Sequence, residues 1–435
     1  MSEIEVNDII NTTDPSTGTA AGTGTDNAGT LQVNVVSSLG LIPVENASVV
    51  ISYTGDPDSV IRTLTTNNSG QTETIPLPAP PLALSLDPES EIQPYAEYNI
   101  IITAEGYEPV SISGSQLFSG ELSLQPVVMN PAEAPSEEEK FVVIPVHTLF
   151  GDYPPKIPED EIKPIDESGE IVLSRVVIPE YIIVHDGDPD DNTAINYWVR
   201  YKDYIKTVAS CEIYSTWPEA AIYANILAIM SFTLNRVFTE WYRNKGYPFT
   251  ITSSTAYDQK WSYGHNIYEN IDYLVDTVFA NYLARPGVRQ PIFTAYCDGV
   301  RTTCRGLSQW GSKYLAEEGY SAIEILRYYF GNDMYIATAD QISGVPSSYP
   351  GYALGIGSSG DKVRQLQTQL NRIARNFPAI PILVTDGIYG PLTANSVRIF
   401  QTIFGLPATG VTDYPTWYEI SDIYVGVSRI AEPSR

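Results

Sequence analysis

The sequence predicts a multidomain protein: an N-terminal β-sandwich, an α+β domain and a small all-α domain of three helices at the C-terminus. Three observations predict it. Residues 31–130 hold short β-branched runs separated by turn signals. Helical periodicity begins only at Tyr201. Two amphipathic stretches joined by a glycine-containing turn follow residue 350. With 435 residues, the chain has length for about three domains.

Residues 1–30 are rich in Thr, Gly, Asp and Asn and poor in large apolar side chains, so they are expected to be disordered. In 31–130 the runs LQVNVV, ASVVISY, YNIIITA and ELSLQPVVM are parted by turns such as Asn67-Asn68-Ser69-Gly70 and Glu105-Gly106-Tyr107. That is the pattern of an antiparallel sandwich. The order of strands and turns resembles carboxypeptidase regulatory-like or transthyretin-like modules, which implies a folding or packing role. Proline and acid dominate 131–175 (AEAPSEEEK, YPPKIPEDEIKP, DESGEI), the composition of an exposed linker open to proteolysis.

Residues 176–340 open with the strand run VVIPEYIIVHDG, and helices are expected over 201–213, 218–241, 308–318 and 322–330. Pro218 suits the first turn of its helix, where a missing N–H costs nothing. Ala221, Ala224, Ala228 and Ser231 give that helix a small-residue face for close packing. Residues 350–425 form the last unit, with helices over 361–375 and 391–404, DGIYG as the turn between them, and a short third helix after Tyr414. The segment GVPSSYPG before it marks an independently folding unit.

The formal net charge is −27 and is unevenly placed. Residues 1–175 hold 27 acids and 5 bases, whereas 176–435 hold 25 acids and 20 bases. An acidic appendage on a balanced remainder argues against nucleic acid as a partner, since phosphate binding needs clustered Lys and Arg. It also argues against docking on anionic membrane lipid. MSEIEVNDII lacks a basic segment followed by a long apolar one, so no secretory signal peptide is expected. The charge-free run 220–234 is too short, and with Asn225 too polar, for a membrane span.

The C-terminal stretch LGIGSSGDKVRQLQTQLN … TDGIYGPLTANSVRIFQTIFGLPATGVTDYPTW resembles the peptidoglycan-binding domain of bacterial wall hydrolases over its whole length. Val363, Leu366 and Leu370 recur at helical spacing, and Asp386-Gly387 and Gly390 permit tight turns. These residues build the fold; the binding of glycan or stem peptide is what the resemblance implies.

The middle region resembles the stage II sporulation protein D family, lytic transglycosylases of peptidoglycan, over 177–335. Two stretches carry the resemblance: YKDYIKTVASCEIYSTWPEAAIYANILAIMSFTLNR and RGLSQWGSKYLAEEGYSAIEILRYYFG. The family's catalytic Glu falls on Glu212 and its helix-end Arg on Arg236, and its Gly-x-Ser-Gln-aromatic-Gly turn falls on Gly306 to Gly311. Arg305 stands where the family often has His, and PIFTAYCDGVRTTCRG departs from its Ser/Gly-rich segment. A glutamic acid suits the chemistry. It delivers a proton to the leaving glycosidic oxygen, which apolar surroundings favour, and once ionised it removes the proton of the muramic C6 hydroxyl as an anhydro ring closes. Hydrolases add a second carboxylate. Arg236, Tyr296, Ser308, Gln309 and Trp310 are the candidate substrate-binding residues, with core packing the competing role for Trp310. Glu219, in a first helical turn, is read as a dipole partner.

No cofactor or metal is expected. Cys297 and Cys304 read as a disulfide or two inert thiols, with zinc held together with His265 as the alternative. Cys211 as a protease nucleophile would need His147, His185 or His265, and no flanking signature supports it. The order of units resembles the spore cortex-lytic enzymes of clostridial spore formers. That implies a zymogen stored in the spore, a subtilisin-like germination protease that cuts between Pro131 and Arg175, and cortex peptidoglycan as substrate. The remaining alternatives are an N-acetylmuramoyl-L-alanine amidase and a non-catalytic wall-binding protein.

Overall fold

The computed structural model describes residues 27–38, 41–132, 139–151, 153–163, 175–339, 341–344 and 349–428. The disorder expected of 1–30 therefore lies almost wholly outside the described residues, as do two stretches of the expected cleavage region, 133–138 and 164–174.

The N-terminal region is built from β1 (Ala28–Ser37), β2 (Ile42–Pro43), β3 (Ser48–Tyr53), β4 (Asp56–Thr65), β5 (Ile75–Pro78), β6 (Ala96–Thr103), β7 (Val110–Leu117), β8 (Leu122–Met129) and β9 (Lys140–Val143). One sheet carries β8-β1-β2 with β5 also on β1; the other runs β4-β3-β6-β7-β9. Alternation along β1 sends Leu31, Val33 and Val35 inward, where they meet Val49, Ile51, Ile100 and Ile102 of the second sheet. The sheets are mixed, not antiparallel throughout: β1 and β8 run parallel from Thr30↔Leu122 to Ser37↔Met129, and β7 and β9 run parallel. Only short hairpins force antiparallel pairing; the chain between β1 and β8 crosses the other sheet and is free to return in the same direction. The described part of 131–175 is also not an exposed linker. After β9 the chain buries His147, Leu149, Tyr153 and Lys163 against the next unit. Its prolines preclude regular structure without precluding contact.

The middle region contains β10 (Val177–Ile178), β11 (Tyr181–His185), β12 (Asn196–Arg200), α1 (Tyr201–Glu212), α2 (Glu219–Phe238), β13 (Ile251–Thr252), β14 (Ile267–Tyr268), α3 (Glu269–Val278), β15 (Asn281–Ala284), β16 (Tyr296–Cys297), β17 (Leu307–Ser308), α4 (Gln309–Glu317), α5 (Ala322–Phe330), β18 (Tyr335–Thr338) and β19 (Gln341–Ile342). Helix α2 is its axis. By length and hydropathy it could cross a membrane, but 89% of the qualifying stretch is buried inside the protein. Its polar side chains are matched within the core: Asn225 Nδ2 donates to Ser312 Oγ (2.7 Å) and Ser231 Oγ to the carbonyl of Ile292 (2.8 Å). Pro218 stands one position earlier than expected, as the N-cap residue rather than inside the first turn. Short β14 pairs with β8, so the middle region continues an N-terminal sheet. Asn266 seals that seam, accepting from Gln116 N (2.9 Å) and donating to Gln116 O (3.0 Å).

The C-terminal region is helical: α6 (Asp361–Ala374), α7 (Pro391–Ile403) and α8 (Tyr414–Ser428). Two buried glutamines each pin a glycine turn. Gln367 accepts from Gly387 N (2.9 Å) and donates to Ile388 O (3.0 Å). Gln401 accepts from Gly410 N (2.8 Å) and donates to Val411 O (2.9 Å). The region is docked on the middle one through Arg200–Asp422 (2.6 Å), Lys202–Glu419 and the Phe279–Tyr418 ring pair.

Candidate active site

Helix α1 stops at Glu212 because Ile213 turns extended and the chain runs toward Pro218. The Glu212 side chain points into protein and is fully buried. Each carboxylate oxygen meets two donors. Oε1 accepts from Lys260 N (2.7 Å) and the Tyr296 hydroxyl (3.3 Å). Oε2 accepts from Gln309 Nε2 (3.3 Å) and the Tyr153 hydroxyl (3.5 Å). Gln309 Nε2 also holds the Glu212 carbonyl (3.0 Å), fixing backbone and side chain together. Burial first, and then the Glu212 charge, push Tyr153 and Tyr296 well above the usual phenol range, so both remain donors.

The turn that delivers Gln309 depends on glycine. Gly306 has φ +132°, and a Cβ there would lie 1.9 Å from the carbonyl oxygen of Ala295. Its absence lets β17 pair with β16, which sets Tyr296 and Gln309 on the same carboxylate. Ser308 caps α4, its Oγ accepting from Gly311 N (2.9 Å), and does not reach Glu212. Trp310 packs on Trp217 (4.9 Å) and Tyr214 within the core. The sequence motif thus divides into Gln309, which reaches the site, and Ser308 and Trp310, which support it.

Arg236 is completely buried and engaged: Nε to Asp258 Oδ1 (2.7 Å), and Nη1 and Nη2 to the two oxygens of Glu159 (2.9 and 2.6 Å). Glu159 belongs to residues 153–163, a strap over the site. Lys156 of the strap donates to Asp258 O (2.5 Å) and lies 4.5 Å from the Tyr296 ring centroid. Burial lowers the pKa of its ammonium, against the opposing pull of Glu212 and Asp258. Arg301 clamps the chain just before the strap, donating to the carbonyls of Leu149 (2.6 Å) and Phe150 (3.2 Å). Arg285 holds Glu161 (2.7 Å). A cavity of about 870 Å³ opens between the strap and Trp241, Ala295, Cys304 and Arg305. Glu212 is not in its wall; Lys156 is, and it covers the ring of Tyr296.

Other buried acids at this centre are committed. Asp258 takes Arg236, Tyr242, Thr252 N and Thr252 Oγ1. Asp298 takes Arg301 and the backbone N–H groups of Val300, Arg301 and Thr302. Cys297 and Cys304 form a disulfide, so the zinc alternative loses its two thiolates. Among the described residues no three His, Cys, Asp or Glu are gathered to hold a metal ion. Burial pushes the Cys211 thiol up and drives His147 and His265 down to about 3 and about 4, which removes the basis for a thiolate–imidazolium pair.

Tyr153 and Lys156 escaped sequence reasoning because they lie in a proline-rich acidic stretch. The only signal was the pair of large or basic side chains among acids in GDYPPKIPED.

The model of the peptidoglycan-binding domain family matches residues 359–420, so the chain carries such a domain. This fits a cell-wall-associated protein with peptidoglycan as a binding partner. No curated protein matches the chain. Among solved structures, the Bacillus anthracis TIE protein is 13% identical over 24% of this chain and 17% of its own, with TM-score 0.17. The minor pilin GBS52 of Streptococcus agalactiae is 13% identical over 26% of this chain and 48% of its own, at 0.18. (S)-allantoin synthase is 14% identical over 24% and 42%, at 0.17. The chain spans less than half the length of each, and similarity at this level carries no argument about function.

Proposed function

We propose that the protein is a peptidoglycan lytic transglycosylase, made as a zymogen, with Glu212 as general acid and then general base. The observation that carries this reading is that Glu212 accepts only from neutral donors, whereas its acidic neighbours Asp258 and Asp298 are locked in ion pairs and turns. A centre with one available carboxylate suits an intramolecular ring closure better than a two-carboxylate hydrolysis. Glu212 gives its proton to the leaving glycosidic oxygen as the C1–O bond breaks. The muramic C6 hydroxyl then bonds to C1, its proton returns to the carboxylate, and a 1,6-anhydro end results. Tyr296 and Gln309 hold the carboxylate in place through both half-reactions.

Latency is supported by the strap. With Tyr153 and Lys156 in place, Glu212 is sealed from solvent and no glycan can approach it. The order of units is like that of the clostridial spore cortex-lytic enzyme SleC, so the proposed setting is the spore, the substrate its cortex, and the activator a germination protease.

Mass spectrometry of digested cortex tests the reaction. Anhydro-muramic ends are expected; reducing ends would mean a hydrolase, free stem peptides an amidase, and no products a binding protein. Glu212→Gln is nearly isosteric and should fold, yet lower muropeptide release by about two orders of magnitude or more, the scale of a lost proton-transfer group. Near-normal release by this variant would sink the assignment.

A further inference from the structure

The contact between Glu159 and Arg236 has the form of a ligand site. Arg236 sits near the end of α2, and the rings of Phe232, Trp241, Tyr242 and Phe293 surround its guanidinium carbon at 4.7 to 5.6 Å. Asp258 binds Nε at 2.7 Å and cannot turn away, because Tyr242 and Thr252 hold its other oxygen. This pairing already balances the Arg236 charge. Glu159 is an additional acid, and the strap supplies its counterion in Lys163 at 2.7 Å. Glu159 and Lys163 would leave together with the strap. Arg236 would keep Asp258 and the Tyr257 carbonyl, which accepts from Nη2 at 3.1 Å, and would turn the remaining N–H of Nη1 and of Nη2 toward the place where Glu159 now borders the 870 Å³ cavity. Buried guanidinium donors without an acceptor are costly, and a planar carboxylate is the acceptor that fits them.

We propose that Arg236 is the subsite for a carboxylate of the peptide stems of peptidoglycan, and that Glu159 occupies it as a substrate mimic until the strap is displaced. This rests on the reading of the Glu212 centre as one that cuts peptidoglycan. Lys156 ties the two places together: it donates to the carbonyl of Asp258, whose carboxylate binds Arg236, and it covers the ring of Tyr296, whose hydroxyl donates to Glu212. Peptidoglycan offers both parts, a glycan to be cut and stems with free carboxylates on its muramic residues. The site therefore selects glycan bearing acidic stems over glycan whose stems are removed or amidated.

The test uses the full chain with a site-specific protease sequence introduced between residues 164 and 174 and cut after folding. Amide hydrogen exchange of residues 153–163 is followed while the stem tripeptide L-alanyl-γ-D-glutamyl-diaminopimelate is added, as the free acid or with its carboxyls amidated. The free acid should displace the strap and raise exchange, and the amide should not. Glu159→Gln should lower the tripeptide concentration needed by about tenfold, because the strap loses its charge-assisted contact. Equal effects of the two peptides, or no effect of either, would overturn the subsite. On glycan strands, amidated stems should raise KM with kcat unchanged. If the cut chain released no anhydro-muramic product, the catalytic reading would fall, while the exchange experiment would still decide the subsite.

Discussion

At the scale of single residues, the centre combines side chains of the middle region with side chains of the strap. Tyr296 and Tyr153 both donate to Glu212, yet one is on β16 and the other is in the strap. Once the strap is displaced, Tyr296→Phe should lower kcat about tenfold with KM unchanged, the size of one lost hydrogen bond to a charged group. Tyr153→Phe should leave the kcat of the cut enzyme unchanged and shorten the lag before activity appears. Progress curves on decoated cortex would show both effects; equal losses of kcat in the two variants would contradict the division. Glu212 and Gln309 were singled out by motif spacing and Tyr296 only as an aromatic side chain, and the fold brings all three together. Ser308 and Trp310 were legible only as members of the motif, since a cap and a core ring share the spacing of a binding residue. Arg236 was named from the sequence, but its partner Glu159, 77 positions away, carries no local signal.

Among the elements, the helices were the easiest to read, since their apolar residues recur at helical spacing and are buried in the fold. The strap and β4 were the hardest. Strand β4 is exposed along most of its length, so DPDSVIRTLT shows no alternation of apolar and polar residues. The strap is held by ion pairs and two buried side chains, Tyr153 and Lys163, rather than by a hydrophobic period. The joint between the N-terminal sheet and α3 has a titratable group of its own. Burial, and then the charge of Glu269 in the first turn of α3, push Glu121 up from 4.5 to about 7. A carboxyl whose folded pKa is raised favours the folded state fully below its unfolded pKa, and that contribution is lost as pH rises through the folded value. Docking of the N-terminal sheet should therefore weaken between pH 4.5 and 7. Urea unfolding at pH 5 and pH 8 should show a loss of stability at the higher pH that is smaller in Glu121→Gln. An identical pH dependence in the variant would show that other groups set it.

For the molecule as a whole, the question is whether three sequence units make three independent bodies. The proline-glycine segment before residue 350 pointed to an independent C-terminal module, but α8 is fastened to the middle region by a buried charge cluster. Lys202 lies between Asp276 and Glu419, Lys206 between Asp272 and Asp276, and all five side chains are largely or wholly buried. Burial pushes Glu419 up to about 7, and Lys202 draws it back. The N-terminal region reaches the same module, with Gln71 Nε2 donating to Ile403 O (2.8 Å). Buried pairs of this kind add little stability as pairs, yet breaking them by removing one partner leaves an uncompensated charge and costs about 3–5 kcal/mol. A chain ended at residue 349 keeps Lys202 and Asp276 but loses Glu419, Asp422 and the rings of Tyr414 and Tyr418 that cover Phe279. We therefore expect calorimetry of the full chain to give one cooperative transition spanning the middle and C-terminal regions, and the shortened chain to melt several degrees lower. Lys202→Met together with Glu419→Leu should recover part of the lost cooperativity of a full chain carrying Lys202→Met alone, because the pair leaves no orphaned charge. Two separate transitions in the full chain, with the first unchanged on truncation, would restore the independent module. Peptidoglycan retention would then have to be explained by a tethered anchor instead of a rigid extension of the middle region.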